Sequence, residues 1–192
     1  MPSTNPHCAL PEQHQRDLMD LAWASIRRGL SDNRPAPVDV ESLPEALKER
    51  RACFVTLEKH GQLRGCIGSL QAIRPLALDV AANAYAAAFR DPRFPGLTED
   101  ELPQLEIHLS LLTPPEPVDC SSEQDLLRRI RAGVDGLILE DGERRGTFLP
   151  SVWEQLPDPV MFLQHLKRKA GFPADYWSTS LRVYRYRAET IP

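Results

Sequence analysis

The chain of 192 residues lacks a hydrophobic run long enough to cross a bilayer, because Asp79 and Asn83 interrupt its alanine-rich stretch at 76–89. Its first ten residues lack a basic region followed by an apolar run, so we expect no signal peptide. The composition, 42% hydrophobic and 26% charged, is ordinary for a globular protein. These features predict a soluble, cytoplasmic protein with no membrane partner.

Several motifs of common chemistries are also absent. Neither G-x-G-x-x-G nor G-x-x-x-x-G-K-[ST] occurs, and the G-x-S-x-G of many serine hydrolases is missing. The five histidines form no H-E-x-x-H, and the four cysteines form no C-x-x-C. We therefore predict reduced thiols, no cofactor and no metal site. The alternative is a metal site assembled from residues far apart in the chain.

A strong excess of positive charge is absent too. The net charge of −4 argues against a general nucleic-acid binder. Basic runs lie at 128–131, 144–145 and 167–169, but such runs are usually solvated helix faces and turns.

The densest motif that is present is Leu63-Arg64-Gly65-Cys66-Ile67-Gly68. If this stretch is extended, Leu63, Gly65 and Ile67 face one way, and Arg64 and Cys66 face the other. A guanidinium beside a thiol favours the reactive thiolate. The alternative, that Cys66 is a small buried residue, has comparable weight from this stretch alone.

Two classes of function fit the motif. In the first, Cys66 is a nucleophile, with Arg64 and Asp91 beside it and His108 or His60 as a base. His108 lies on the polar face of an alternating strand, which equally fits a solvated histidine.

The second class is a binding module. In it, Arg64, the backbone at Gly65 and Gly68, and Arg93 hold an anion or a partner's carboxylate, with Phe94 beside them. The sequence does not decide whether the protein is an enzyme.

Hydrophobic periodicity and turn residues predict the order of elements. Helices are expected from Pro11 to Gly29, from Pro75 to Arg90, from Ser122 to Gly133 and from Pro159 to Gly171. Strands are expected at 52–57, 63–67, 105–111, 136–140, 143–149 and 181–187, the last being the final strand. The residues at 113–117 are expected to form a stiff connector.

The order helix, hairpin, helix, strand occurs twice. Arg64-Gly65-Cys66-Ile67 lies in the first hairpin, and Arg145-Gly146-Thr147-Phe148 lies at the same place in the second. We interpret the chain as one domain, 1–192, with two related lobes at 11–117 and 118–192. The alternative is a coincidence of two Arg-Gly pairs.

These residues together resemble the AMMECR family, whose bacterial members are called AmmeMemoRadiSam system protein A. Besides the cysteine motif, the resemblance is carried by Phe54-Val55-Thr56-Leu57, Gly61, Asp91-Pro92-Arg93-Phe94, Glu101-Leu102, Gly136-Leu137, Phe148-Leu149-Pro150-Ser151-Val152-Trp153, Phe162-Leu163, Lys169-Ala170-Gly171 and Trp177. It covers nearly the whole chain.

The resemblance implies an α+β fold with mostly antiparallel sheets and flanking helices, and a setting beside a Memo-like protein and a radical-SAM protein. It implies no particular reaction. We expect a pocket around the cysteine motif that serves thiol-dependent chemistry on a small molecule or partner. The alternative is a non-catalytic accessory protein. The matching residues are Arg64, Gly65, Cys66, Gly68, Asp91, Arg93 and Phe94, whereas His108 matches no block of the family.

Overall fold

The structure, a computed structural model, describes residues 10–192 and divides them into two compact units. Unit 1 consists of residues 10–112 and 189–192, and unit 2 consists of residues 113–188. Each unit has its own four-stranded sheet and its own hydrophobic core. No helix in residues 10–192 is both long and apolar enough to cross a membrane.

The α-helices are α1 (Glu12–Asp32), α2 (Glu45–Lys48), α3 (Leu76–Phe89), α4 (Glu123–Arg129) and α5 (Pro159–Lys169). The strands are β1 (Cys53–Lys59), β2 (Gln62–Gly68), β3 (Leu105–Leu112), β4 (Glu116–Pro117), β5 (Gly136–Asp141), β6 (Arg144–Phe148), β7 (Arg182–Tyr186) and β8 (Ala188–Ile191). Short 3-10 helices occupy Val40–Ser42, Glu99–Gln104 and Pro150–Glu154. The predicted α+β class with antiparallel sheets is confirmed.

Sheet I, in unit 1, has the strand order β2-β1-β3-β8. In β1, Val55 and Leu57 are fully buried, and they alternate with the half-buried Phe54, Thr56 and Glu58. The buried face forms one core with α1 and α3, and the polar residues lie on the opposite face, which we call the outer face. The alternation in the sequence therefore decides which side chains can form a site on this sheet.

Helix α3 can pack closely against sheet I because half of its 14 residues are alanine. Its two polar residues, Asp79 and Asn83, are buried rather than solvated. Asp79 accepts a hydrogen bond from the backbone N–H of Cys53 at 3.0 Å, and Asn83 donates to the Cys53 carbonyl at 3.2 Å. Arg74 pairs with Asp79 at 2.7 Å. These residues tie the start of β1 to α3.

The structure corrects two helix ends and adds two strands. Helix α4 ends at Arg129 rather than at Gly133, because Ile130 already has an extended backbone. Helix α1 continues past Gly29 to Asp32 and ends at Asn33, which adopts a left-handed conformation. Gly29 is instead a contact point, since a Cβ there would lie 2.2 Å from the Phe89 ring. Strand β7 is followed by β8, and the expected connector contains β4. Both strands are too short for alternation to reveal them.

Sheet II, in unit 2, has the order β4-β7-β5-β6. Its core contains Leu137, Phe162 and Trp153, whose ring stacks on that of Phe162 with 3.7 Å between the ring centroids. The indole N–H of Trp153 donates to the Asp135 carbonyl at 2.7 Å.

The two sheets share one strand order. In each sheet, the second strand of the hairpin is at the edge and the first strand of the hairpin is next to it. The strand that follows the next α-helix in the chain comes third, which gives β2-β1-β3 in sheet I and β6-β5-β7 in sheet II. A Cβ at Gly65 would lie 2.2 Å from the Ala87 carbonyl oxygen, and a Cβ at Gly146 would lie 2.6 Å from the Ala170 Cβ. The glycines of the two Arg-Gly pairs therefore share a physical role, which is close approach to a helix.

Candidate functional site

Cys66, Thr56 and His108 lie side by side on the outer face of sheet I. Thr56 is directly opposite Cys66 on one side and His108 on the other. The hydroxyl of Thr56 lies 3.4 Å from the Cys66 sulfur and donates to it. We call these three residues the Cys66 row. All three residues are half-buried, so the Cys66 side chain both contacts its neighbour Thr56 and is partly exposed to solvent.

Cys66 lies on the edge strand β2, and the loop after α3 binds its backbone. The N–H of Cys66 donates to Asp91 Oδ2 at 2.9 Å, and its carbonyl accepts from Arg93 Nη2 at 3.3 Å. Because these backbone groups point away from β1, Cys66 and Thr56 form a non-hydrogen-bonded pair, in which opposite side chains come closest. The loop thus takes the place of a further strand at this edge.

Asp91 and Arg93 are joined by an ion pair. Two guanidinium nitrogens of Arg93 donate to the two carboxylate oxygens of Asp91, at 3.0 and 2.7 Å. The Asp91 side chain is 2% exposed, whereas that of Arg93 is 54% exposed. The hydrogen bonds from Arg93 hold the pKa of Asp91 well below its usual value and outweigh the opposing effect of burial. Arg93 therefore keeps a solvent-facing surface beside Cys66.

A β-bulge lies at Arg64. Leu57 is opposite Gly65, but Glu58 is opposite Leu63, so Arg64 is the extra residue of β2. The prediction that Leu63 shares a face with Gly65 and Ile67 is wrong, because the bulge moves Leu63 to the other face. The bulge also breaks the simple alternation from which we expected Arg64 to lie beside Cys66.

Arg64 instead forms an ion pair with Glu101. Its Nε and Nη2 donate to the two oxygens of Glu101, both at 2.9 Å, and Nη2 also donates to the Pro95 carbonyl at 3.0 Å. Lys59 donates to Glu101 at 3.1 Å, and the Thr98 N–H does so at 3.1 Å. The hydrogen bonds from Arg64 are the main reason that the pKa of Glu101 falls to about 2.

The remaining motif residues shape the backbone. The ring centroid of Phe94 lies 5.9 Å from the guanidinium carbon of Arg64 and 5.5 Å from that of Arg93. A Cβ at Gly68 would lie 2.4 Å from the Phe54 ring. Gly65 and Gly68 thus allow a helix and an aromatic ring to approach the strand.

Burial distinguishes the cysteines of residues 10–192. Cys53 is fully buried, and burial is the main reason that the pKa of its thiol is raised well above the usual value. Burial also raises the pKa of Cys120, which is half-buried. Cys8 lies outside the described residues.

His108 does not contact Cys66 directly, because Thr56 lies between them. Its Nε2 is instead 3.8 Å from Glu58 Oε2, and Glu58 is directly opposite Glu106 on the neighbouring strand. His60, the other candidate base, bonds to Gln104 at 3.0 Å. Our sequence reasoning missed Thr56 and Glu58. Alternation places both on the outer face, but only the register shows their neighbours.

Comparison with known proteins shows similarity over almost the full length. The AMMECR1 family model matches residues 19–191. A protein of Methanothermobacter thermautotrophicus is 41% identical over 187 residues, which cover 95% of this chain and 96% of the relative. A protein of Thermotoga maritima is 43% identical over 152 residues, covering 78% of this chain and 82% of the relative.

A solved structure has the same fold. The crystal structure of the uncharacterized protein PH0010 from Pyrococcus horikoshii matches with a TM-score of 0.77 at 34% sequence identity. The match covers 94% of this chain and 92% of that chain.

Proposed function

This chain belongs to the AMMECR1 family, and we propose that the surface around Cys66 binds an anionic small molecule or partner group on which Cys66 acts as a nucleophile. The observation that carries the proposal is the position of the thiol. Cys66 is partly exposed, its sulfur accepts a hydrogen bond from Thr56, and its backbone is held on both sides by Asp91 and Arg93. A nucleophile needs both access and a fixed position.

Arg93 supports the anionic character of the ligand. Its Nε and Nη2 are used by Asp91 and by the Cys66 carbonyl, but a guanidinium has five N–H donors. The exposed remainder of the group can therefore donate to a carboxylate or phosphate beside the thiol. In the reaction, the thiol proton passes to solvent and the sulfur forms a bond to a carbonyl-type carbon of the ligand, whose π electron pair moves to the attached oxygen.

The alternative is an accessory role, in which the same surface docks a Memo-like or radical-SAM protein without chemistry. A Cys66→Ser variant separates the two. If turnover is lost while partner binding is kept, the chemical role holds. If both are lost together, or neither changes, docking or packing explains the motif better.

A direct test compares two alkylating reagents that differ in charge. Iodoacetate is anionic and iodoacetamide is neutral, and both modify thiols. In a Cys8→Ser background, we expect Cys66 to be modified before Cys53 and Cys120, and to favour iodoacetate more than Cys120 does. The modified residues are identified by mass analysis of peptides.

Arg93→Gln should lower the iodoacetate-to-iodoacetamide rate ratio at Cys66 about twofold or more, since it removes a nearby unit charge. Arg34→Gln, an equal charge change at an exposed position, should leave the ratio unchanged. An inert Cys66 in the folded protein would overturn the nucleophile. A ratio equal to that at Cys120 would overturn the anion site.

A further inference from the structure

Glu58, Glu106 and His108 form a compact group on the outer face of sheet I, next to the Cys66 row. Glu58 and Glu106 are directly opposite each other on β1 and β3, and His108 is two residues further along β3. Each offers one ligand atom, and these atoms all lie within 4.8 Å of one another. Glu58 and His108 are half-buried, and Glu106 is exposed.

The pairing of the two carboxylates is unfavourable by itself. Like charges directly opposite each other on neighbouring strands destabilise a sheet. Three other carboxylates of unit 1 that are buried or half-buried each pair with an arginine: Asp79 with Arg74, Asp91 with Arg93, and Glu101 with Arg64. Within residues 10–192, Glu58 forms an ion pair only with His108, at 3.8 Å, and Glu106 forms none with a lysine or arginine. The two carboxylates therefore carry negative charge that a bound cation would balance.

We propose that Glu58, Glu106 and His108 bind one divalent transition-metal ion. Two carboxylate oxygens and one imidazole nitrogen suit Zn²⁺, Mn²⁺ or Fe²⁺. Three protein ligands leave at least one coordination position for water, as in catalytic rather than structural metal sites.

The distances require only a small adjustment. A metal bonded at about 2.1 Å to each ligand needs ligand atoms no more than roughly 4.2 Å apart. Rotation of the exposed Glu106 side chain closes the remaining gap. The backbone of β1 and β3 need not move, because their register already places the three residues together.

This inference goes beyond the role of Cys66 and does not depend on it. It gives His108 a ligand role instead of the role of a base for the thiol, in keeping with Thr56 lying between the two. Because both sites are on one face of one sheet, a water or substrate bound to the metal faces the same surface as Cys66.

The test is metal binding by the full chain without a purification tag, first stripped of metals with a chelator. Co²⁺ is titrated and followed by its visible absorption, and Zn²⁺ and Mn²⁺ are measured by calorimetry. We expect one equivalent to bind. Glu58→Gln, Glu106→Gln and His108→Gln should each weaken the affinity about tenfold or more, since each removes a ligand.

Matched controls separate this site from chance binding and from the thiol. His60→Gln and Glu99→Gln change the same residue types at exposed positions outside the group and should leave the affinity within about twofold. Cys66→Ser should also leave it unchanged. Circular dichroism checks that each variant is folded.

Three results would overturn the inference. One is the absence of one-to-one binding at millimolar metal, and another is binding that none of the three ligand variants weakens. The third is binding lost in Cys66→Ser but kept in Glu58→Gln, which would assign the metal to the thiol. None of these results bears on the alkylation rates that test the proposed function.

Discussion

The two arginines of the family motifs, Arg64 and Arg93, have different surroundings. Arg64 is buried and makes two hydrogen bonds to Glu101, so its charge is used to hold the loop before β3. Arg93 is exposed and pairs with the buried Asp91. Arg64 therefore acts as a structural residue, and Arg93 is the cation available to a ligand.

Glu101→Gln tests the structural role of Arg64. We expect a loss of about 2 kcal/mol in the free energy of unfolding at pH 7, because the buried guanidinium loses its charged partner. Since folding lowers the pKa of Glu101 to about 2, this stabilisation is fully present above the pKa of the unfolded state and is lost as pH falls through the folded value. The difference in the free energy of unfolding between variant and wild type should thus disappear as pH falls from about 4.5 to about 2.

Denaturant unfolding at a series of pH values measures this difference. Glu99→Gln is the matched control, because Glu99 is exposed on the same 3-10 helix. A constant difference between Glu101→Gln and wild type from pH 7 to pH 2 would contradict the assignment.

At the scale of elements, local patterns in the sequence predict much of the fold. The alternation at 105–111 predicts β3, and the hairpin turns join β1 to β2 and β5 to β6. Thr98 and Glu101, three residues apart, form a capping box. Each of these features depends on residues close together in the chain, so its signal is present in a short window.

The candidate site was less predictable because it depends on pairing between strands. The bulge at Arg64 exists only relative to β1, and no local pattern marks it. The Arg64–Glu101 contact joins residues 37 positions apart. The group of Glu58, Glu106 and His108 appears only once the register of β1 and β3 is known.

The two hairpin glycines give a test at this scale. Gly65→Ala and Gly146→Ala should each lower the free energy of unfolding by about 1–3 kcal/mol, because the new Cβ overlaps Ala87 or Ala170. Gly96→Ala is the control, since its Cβ would meet only the Phe89 ring, at 3.8 Å. Urea unfolding measures all three variants. Equal stability of Gly65→Ala and Gly96→Ala would show that the helix contact is not tight.

At the scale of the whole molecule, the two sheets exchange their short strands. Strand β4 follows β3 of sheet I in the chain but pairs with β7 of sheet II, and β8 follows β7 but joins β3. Each unit is therefore completed by a strand that directly follows the third strand of the other sheet. A chain cut between the units would leave one sheet without its fourth strand.

Ile191 tests the contribution of β8 to unit 1. It is 4% exposed and packs in the core of sheet I, although it lies 79 positions after Leu112 in the chain. Ile191→Ala should cost about 2–4 kcal/mol, because it opens a cavity in that core. Ile73→Ala, at a side chain that is 64% exposed, should cost little. Hydrogen exchange should rise in β3 and stay unchanged in β5, since β8 pairs only with sheet I. Equal loss of protection in β3 and β5 would instead mean that the two units unfold together.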